Sequence, residues 1–404
     1  MRHVPYWFDR FPKSRRPSYP RLKGSHDTRV AIVGGGLTGA ACALAFAGAG
    51  IDIILLESNT VGGGSTAGAD GLLREGFGGS FSQVAAQHGL KYARALSEGM
   101  RRGSLDFATV LRRNNIRCEL ASTDLLTIGT TAEAAKVLRR EQASRKAVGA
   151  PGAWVAPSAL ARDAALDAGG GVRTHVATID PYRACLGIIA AAAARGALIH
   201  ERSAVNRIRT SARGVEITTA GGVVRADAVL VATAAPLPDL RALRRHLIPQ
   251  LVYGVVTEPL PAAVRRQVGK RAAAIEADGA ADRLVRWLGD DRVLIRGGRQ
   301  KAVPQRLRER ALTQRTGQLM YELLLMYPAI SGLQPEWSWD SADYETVDGQ
   351  PFVGTHRNFP RHLFAFTPAS HGAGLAWTAA RLLLRQYRGE AARGDDAFGF
   401  GRIL

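Results

Sequence analysis

Gly34, Gly36 and Gly39 stand in the order G-x-G-x-x-G after the apolar run Val30-Ala31-Ile32-Val33, and Glu57 closes a second apolar run, IILLE, eighteen residues past Gly39. Each glycine of this pattern has its own task. The first permits a tight turn, the second lets the backbone approach a pyrophosphate, and the third lets a helix pack closely on a strand. The helix that follows, opened by Leu37 and Thr38, presents unpaired N–H groups and a partial positive charge to phosphates. A carboxylate at Glu57 accepts hydrogen bonds from the hydroxyls of an adenosine ribose. It would also repel a 2′-phosphate, which disfavours NADP and leaves NAD and FAD open.

The elements that must hold these residues are legible around them. Val30 to Val33 and Ile51 to Leu56 read as buried strands, and residues 38–48 as an alanine-rich helix. Together they make a strand–turn–helix–strand unit of the doubly wound, parallel kind. Residues 80–115 and 131–147 read as helical. Asp180-Pro181 starts another helix, with Asp as N-cap and Pro in the first turn, and Gly196 stops it. Residues 205–225 read as a hairpin about Gly221-Gly222, and residues 228–232 as a buried strand. LVYGVVTEP and LVRWLGDDRVLIRGG read as hairpin-like segments, the second turning at Gly289-Asp290-Asp291. A long helix is expected over residues 305–326.

Composition narrows the class. The chain has 404 residues, enough for two or three domains, and 46% hydrophobic content with 22% charged residues is ordinary for a globular protein. The net charge of +19 comes from arginine, since only seven of the 54 basic residues are lysine. The basic pairs are dispersed, as on a solvated surface, and an anionic substrate or acidic partner is the alternative. Cys42, Cys118 and Cys185 lie far apart, with no metal-ligand spacing, and read as reduced core thiols of a cytoplasmic protein. The N-terminus lacks the apolar stretch of a signal peptide, and no tract is long enough to span a bilayer.

Further blocks recur in a familiar order. SNTVGGGSTAGADGLL follows Glu57, ERSAVNRI and DAVLVATAA lie mid-chain, and TVDGQPFVG and SHGAGLAWTAARLL stand near the C-terminus. In that order the chain, over roughly residues 27–390, resembles the FAD-dependent D-amino-acid oxidase superfamily, which includes glycine and sarcosine oxidases. The segment YWFD and the passage from Val229 to Leu260 resemble its γ-glutamylputrescine oxidase-like branch. The resemblance implies a Rossmann-type FAD-binding domain interleaved with an antiparallel-sheet α+β substrate domain. The expected boundaries are an arm over residues 1–27, a cofactor domain over 28–80, 175–240 and 335–404, and a substrate domain over 81–174 and 241–334.

By the same resemblance, Ser58, Gly63, Gly64, Ser65, Thr66 and Gly71 belong to a second glycine loop beside the pyrophosphate and flavin. Val205 matches a position whose backbone meets adenine, and Ala232 and Thr233 match a strand end where Ala234 replaces a frequent glycine. Gly372, Ala373, Gly374 and Leu375 are expected at the pyrimidine edge of the flavin, opening a final helix. Ala373 stands where many relatives carry histidine, and His371 lies two positions earlier. No cysteine follows Cys185 and no histidine lies between Glu57 and His88, so the FAD is expected to be non-covalent.

The reaction implied is hydride transfer from the carbon beside nitrogen to the flavin, followed by hydrolysis of the imine. A small-molecule amine or amino acid is the expected donor, with oxygen or another carrier as acceptor. A free amine has a pKa of about 10, and a dry pocket favours its neutral, reactive form. Tyr253, Arg296 and Arg74 are candidates to bind a substrate carboxylate, Arg296 alternatively to favour superoxide during reoxidation, with His371 as a further polar candidate and Trp287 as pocket or core. Two alternatives stay open: a family member acting on a transfer-RNA base, which the charge would suit but which no basic block supports, and a flavin-binding protein without turnover.

Overall fold

The computed structural model describes every residue except 77–78, 151, 234–236, 238–239, 278–282 and 404, so Ala234 lies outside the described residues. Two sheets organise the chain. In the first, the order is Phe352–His356, Phe359–Phe366, Gly222–Val231, Gly24–Val33, Ile53–Leu56 and Leu198–His200. All but Phe352–His356 run parallel. The run Val30–Val33 is apolar throughout because both of its faces are covered. Val30 and Ile32 face the cluster built by the helices Leu37–Gly48, Pro181–Ala193, Leu90–Arg113 and Gly374–Arg388, while Ala31 and Val33 face a second cluster containing Phe352, Phe364 and Phe400.

The second sheet has the order Pro335–Thr346, Leu247–Thr257, Val293–Lys301, Leu284–Trp287, Ala273–Ala277, Ala121–Gly129, Gly170–Thr178 and Leu72–Arg74, with Ala153–Val155 beside Gly170–Thr178. Its pairs are antiparallel except that between Ala273–Ala277 and Ala121–Gly129. The helix Arg308–Met326 buries Leu319 and Leu323 against Leu251, Tyr253, Val255 and Ile295 on one face. The class is therefore the expected one: a Rossmann-type α/β unit interleaved with an antiparallel α+β unit.

Several local readings change. Pro335–Thr346 was expected in the parallel unit and instead pairs along its whole length with Leu247–Thr257. Its alternation buries Trp337, Trp339, Ser341 and Asp343 together, so the chain returns to the first sheet only after the Thr346–Gln350 turn. Leu251 to Thr257 of LVYGVVTEP belong to one continuous strand, Leu247–Thr257, rather than a hairpin, because that strand is paired along both edges. Residues 205–225 contribute three strands, turning at Ala212-Arg213 and again at Ala220-Gly221. The helical stretch 80–115 breaks at Gly89 into Phe81–His88 and Leu90–Arg113. The N-terminal arm is not wholly extended: it holds a short helix, Tyr6–Arg10, and its last residues enter the first strand at Gly24.

The helix Gly374–Arg388 crosses Leu90–Arg113 where Gly374 lies against Ser104, so a Cβ on Gly374 would overlap the Ser104 hydroxyl and its carbon atoms. Replacing Gly374 by alanine should therefore cost roughly 1–3 kcal/mol of stability through overpacking. Urea unfolding of the variant should show a lower midpoint at unchanged slope, and an unchanged midpoint would mean the two helices separate freely.

Candidate active site

The parallel strands Gly24–Val33, Gly222–Val231 and Phe359–Phe366 all end at one edge, and the cleft opens there, outside the carboxyl ends of the strands. It offers about 930 Å³ of space, its open mouth included. From the first unit, Gly36, Leu37, Thr38, Ser65, Thr66, Ala232, Thr233, Gly372 and Ala373 line it; from the second come Leu247, Arg296, Asp343, Tyr344 and Thr346.

Local physics explains the glycines. Gly34 sits at φ +107°, and a Cβ there would stand 2.7 Å from the Ala232 carbonyl oxygen. A Cβ on Gly39 would overlap the Gly34 carbonyl, so this residue sets how closely helix Leu37–Gly48 packs on its strand. Gly36 caps that helix without a side chain, and the Leu37 N–H donates to the Thr66 hydroxyl at 2.9 Å. Glu57 Oε2 accepts the Gly35 N–H at 2.7 Å, while Oε1 accepts from Asn59 N at 2.8 Å and Ser58 Oγ at 3.1 Å. A carboxylate offers about four acceptor positions, so one remains for a ribose hydroxyl. Close backbone approach, an open helix N-terminus and an acid at the second strand end together fit FAD.

The segment Ser65–Gly71 is held from outside the parallel unit. The Gly68 carbonyl accepts from Arg296 Nε at 3.2 Å and Trp339 Nε1 at 3.3 Å. The Ala69 carbonyl accepts from Trp7 Nε1 at 2.9 Å, and the Asp70 carbonyl from Arg286 Nη1 at 2.8 Å. The Gly71 carbonyl accepts from the Ile179 N–H at 2.8 Å. Gly71 itself, at φ +72°, is pressed against Ile179 and Arg286 rather than lining the cleft, because a Cβ would overlap the Ile179 carbonyl.

Beyond the cleft lies a larger cavity of about 2520 Å³ including its open mouth, walled largely by the antiparallel unit. Asp70, Arg296 and Pro368 line both spaces. Arg296 is 7% exposed, and its Nη1 stands 3.9 Å from Asp70 Oδ2. Arg74 also faces this cavity, with both Nη atoms donating to the Glu276 carboxylate at 3.0 and 3.1 Å.

Other expected residues fall elsewhere. Tyr253 lies on the opposite face of the sheet, in the core under helix Arg308–Met326, where its hydroxyl accepts from Gln300 Nε2 at 2.6 Å. Strand alternation put it there: the cleft-side neighbour in the same strand is Gly254, packed against Trp339. His371 lines neither space. It is fully buried, its Nδ1 is 3.2 Å from the Ser370 hydroxyl, and burial, with the nearby Arg74 charge, pushes it down to about 4. Gly374 and Leu375 serve helix packing, Gly63 and Gly64 are exposed, and Ser58 touches Glu57. Val205 begins the outer ladder of the first sheet. Trp287 packs edge-on against Tyr327. Asp70, Asp343, Arg286 and Trp7 escaped the sequence reading. The available signal for Arg286 was an arginine inside the apolar run LVRWL, which a buried strand tolerates only with partners.

The depressed pKa of His371 has a consequence for stability. Between about 4 and its ordinary 6.5, the unfolded chain binds the proton and the folded chain does not, so stability is lost as pH falls through that window and nothing changes above it. His371→Gln should remove up to about 3 kcal/mol of the stability difference between pH 7 and pH 4. Urea unfolding across pH 4–8 tests this, and parallel pH curves for the two proteins would contradict it.

Among the described residues no cluster suits a metal ion, and no helix is long and apolar enough to cross a membrane. The chain is 25% identical over 381 residues to γ-glutamylputrescine oxidoreductase of Escherichia coli, covering 93% of this chain and 87% of that protein. It is 27% identical over 361 residues to glycine oxidase of Geobacillus kaustophilus, covering 86% and 88%. The solved structure of that glycine oxidase superposes with a TM-score of 0.76 at 21% identity, over 94% of this chain and 100% of that one. L-proline dehydrogenase from P. horikoshii gives 0.75 at 15% identity, over 94% and 97%. With the DAO family of FAD-dependent oxidoreductases matching residues 29–386, over the same glycine turn, strand ends and final helix that build the cleft, the chain belongs to that family and FAD is its cofactor.

Proposed function

We propose that the protein oxidises a carbon–nitrogen bond of an amine or amino acid held in the larger cavity, against FAD held non-covalently in the cleft. The observation that carries this reading is the shared wall: Asp70, Arg296 and Pro368 border both spaces, so a molecule in one meets a molecule in the other there. The names of the relatives, glycine oxidase and γ-glutamylputrescine oxidoreductase, point to nitrogen-bearing donors. Three buried free thiols suit work in the cytoplasm.

When bound, FAD supplies the two-electron acceptor, and oxygen or another carrier takes the electrons onward. The chain's own residues bind and orient. The N-terminus of Leu37–Gly48 holds the pyrophosphate, and Glu57 holds the ribose. The N-terminus of Gly374–Arg388 opens at Ala373 on the cleft wall, where its partial positive charge favours negative charge developing nearby. Arg296 is buried and aimed by the Gly68 carbonyl, so its charge is presented at the junction at little further cost in side-chain entropy. Such a guanidinium suits a substrate carboxylate placed beside the reacting carbon.

The test is Arg296→Met assayed with two donors, an amino acid and the amine lacking its carboxylate. The amino acid should lose roughly 10- to 100-fold in kcat/KM, the scale of a hydrogen bond to a charged group, and the plain amine less than about threefold. Equal losses for both donors would remove Arg296 from carboxylate recognition.

A further inference from the structure

We infer that the N-terminal arm is part of the cofactor site, and that Trp7 is a positioning residue which holds the flavin-side segment through the Ala69 carbonyl. This rests on the reading that FAD occupies the cleft.

Ala69 and Asp70 both line the cleft, and their carbonyls turn away from it to donors on other parts of the chain. Trp7 is 3% exposed, and its indole N–H makes the bond to Ala69. The Arg286 guanidinium, which holds the next carbonyl, lies over the Trp7 ring at 5.1 Å. Trp7 therefore contacts the segment directly and also covers the cation that fixes its neighbour.

The arm is anchored at two places that bear on the same site. Arg2 extends the edge of the antiparallel sheet: its N–H donates to the Glu336 carbonyl at 2.7 Å and its carbonyl accepts from Ser338 N at 3.0 Å. Asp9 accepts from Trp337 Nε1 at 3.0 Å and from Arg2 Nη1 at 2.8 Å. That edge strand carries Trp339, a donor to Gly68, and Asp343, which lines the cleft. The second anchor is Asp290, which accepts from the Tyr6 hydroxyl at 2.9 Å and Arg10 Nη1 at 2.7 Å. Asp290 stands in the turn joining the strands that carry Arg286 and Arg296. The arm thus spans an edge strand, a hairpin turn and the cleft-lining segment, all of which bear on one wall of the cleft.

The experiment uses the whole 404-residue chain with Trp7→Phe, which keeps an aromatic ring and removes the N–H, and with Arg21→Gln as a control. Arg21 is an exposed arm residue bonded to the Arg202 carbonyl, and it does not line the cleft. FAD affinity is measured by titrating each apoprotein, together with the bound-flavin visible spectrum and the apoprotein melting temperature. Trp7→Phe should weaken FAD binding roughly five- to tenfold, the scale expected of one lost hydrogen bond, and shift the bound-flavin spectrum, beyond whatever the smaller buried ring takes from the apoprotein melting temperature. Arg21→Gln should match the wild type. Wild-type affinity and spectrum in Trp7→Phe would overturn the inference alone, as would weakening that only mirrors a lower apoprotein melting temperature. A wild-type apoprotein that takes up no FAD would overturn the cofactor reading and this inference with it.

Discussion

Four consecutive carbonyls, Gly68 to Gly71, accept hydrogen bonds from groups outside the loop that carries them: the side chains of Arg296, Trp339, Trp7 and Arg286, and the Ile179 N–H. A glycine-rich segment has little shape of its own, because glycine loses the most conformational freedom on ordering. Here the shape is imposed from the arm and from the antiparallel sheet, whose strand Gly170–Thr178 leads directly into Ile179. The packing leaves no slack either, since a Cβ on Gly68 would overlap Ser341 and Trp339. Everything the cleft requires of Ser65, Thr66 and Asp70 depends on that arrangement.

The arrangement has an electrostatic cost. Arg286 is buried deeply enough that loss of solvent lowers its pKa to about 10, with Asp70 and Asp180 opposing the fall. It stays charged at neutral pH, and its hydrogen bonds go to the carbonyls of Asp70 and Ile179 rather than to a carboxylate. A buried cation satisfied by backbone oxygens forms stronger hydrogen bonds than a neutral donor, and it fixes geometry where a lysine would swivel. The interleaving of the two units follows from the same constraint. The cofactor-side loop needs donors from the antiparallel sheet, so the chain crosses between the sheets repeatedly instead of finishing one before starting the next.

The parallel unit was legible because its signals are local. Apolar runs buried on both faces, glycines at a fixed spacing and the Asp180-Pro181 helix start each report on their immediate neighbourhood, and the doubly wound unit followed from them, whereas the interleaved antiparallel unit was implied only by the family resemblance. Pro335–Thr346 was misplaced because WSWDSADYET carries no mark of which sheet it joins; pairing with Leu247–Thr257 decides that. Tyr253 was misread for a related reason. Its strand is apolar on both faces, with Val252 and Val256 on one side and Leu251 and Val255 on the other, so no alternation in the sequence says which side meets the cleft. Trp7 and Arg286 were out of reach because their partners are carbonyls 62 and 216 residues away, and a carbonyl leaves no trace in residue type.

The central claim is that the cavity beyond Asp70 and Arg296 delivers a nitrogen-bearing donor to FAD. It is tested most directly by adding amines and amino acids, one at a time and without oxygen, to the purified yellow protein while following its visible absorbance. The account predicts that one class of donor bleaches the flavin and that air restores the colour if oxygen is the acceptor. A flavin-loaded protein that no amine or amino acid reduces would contradict it.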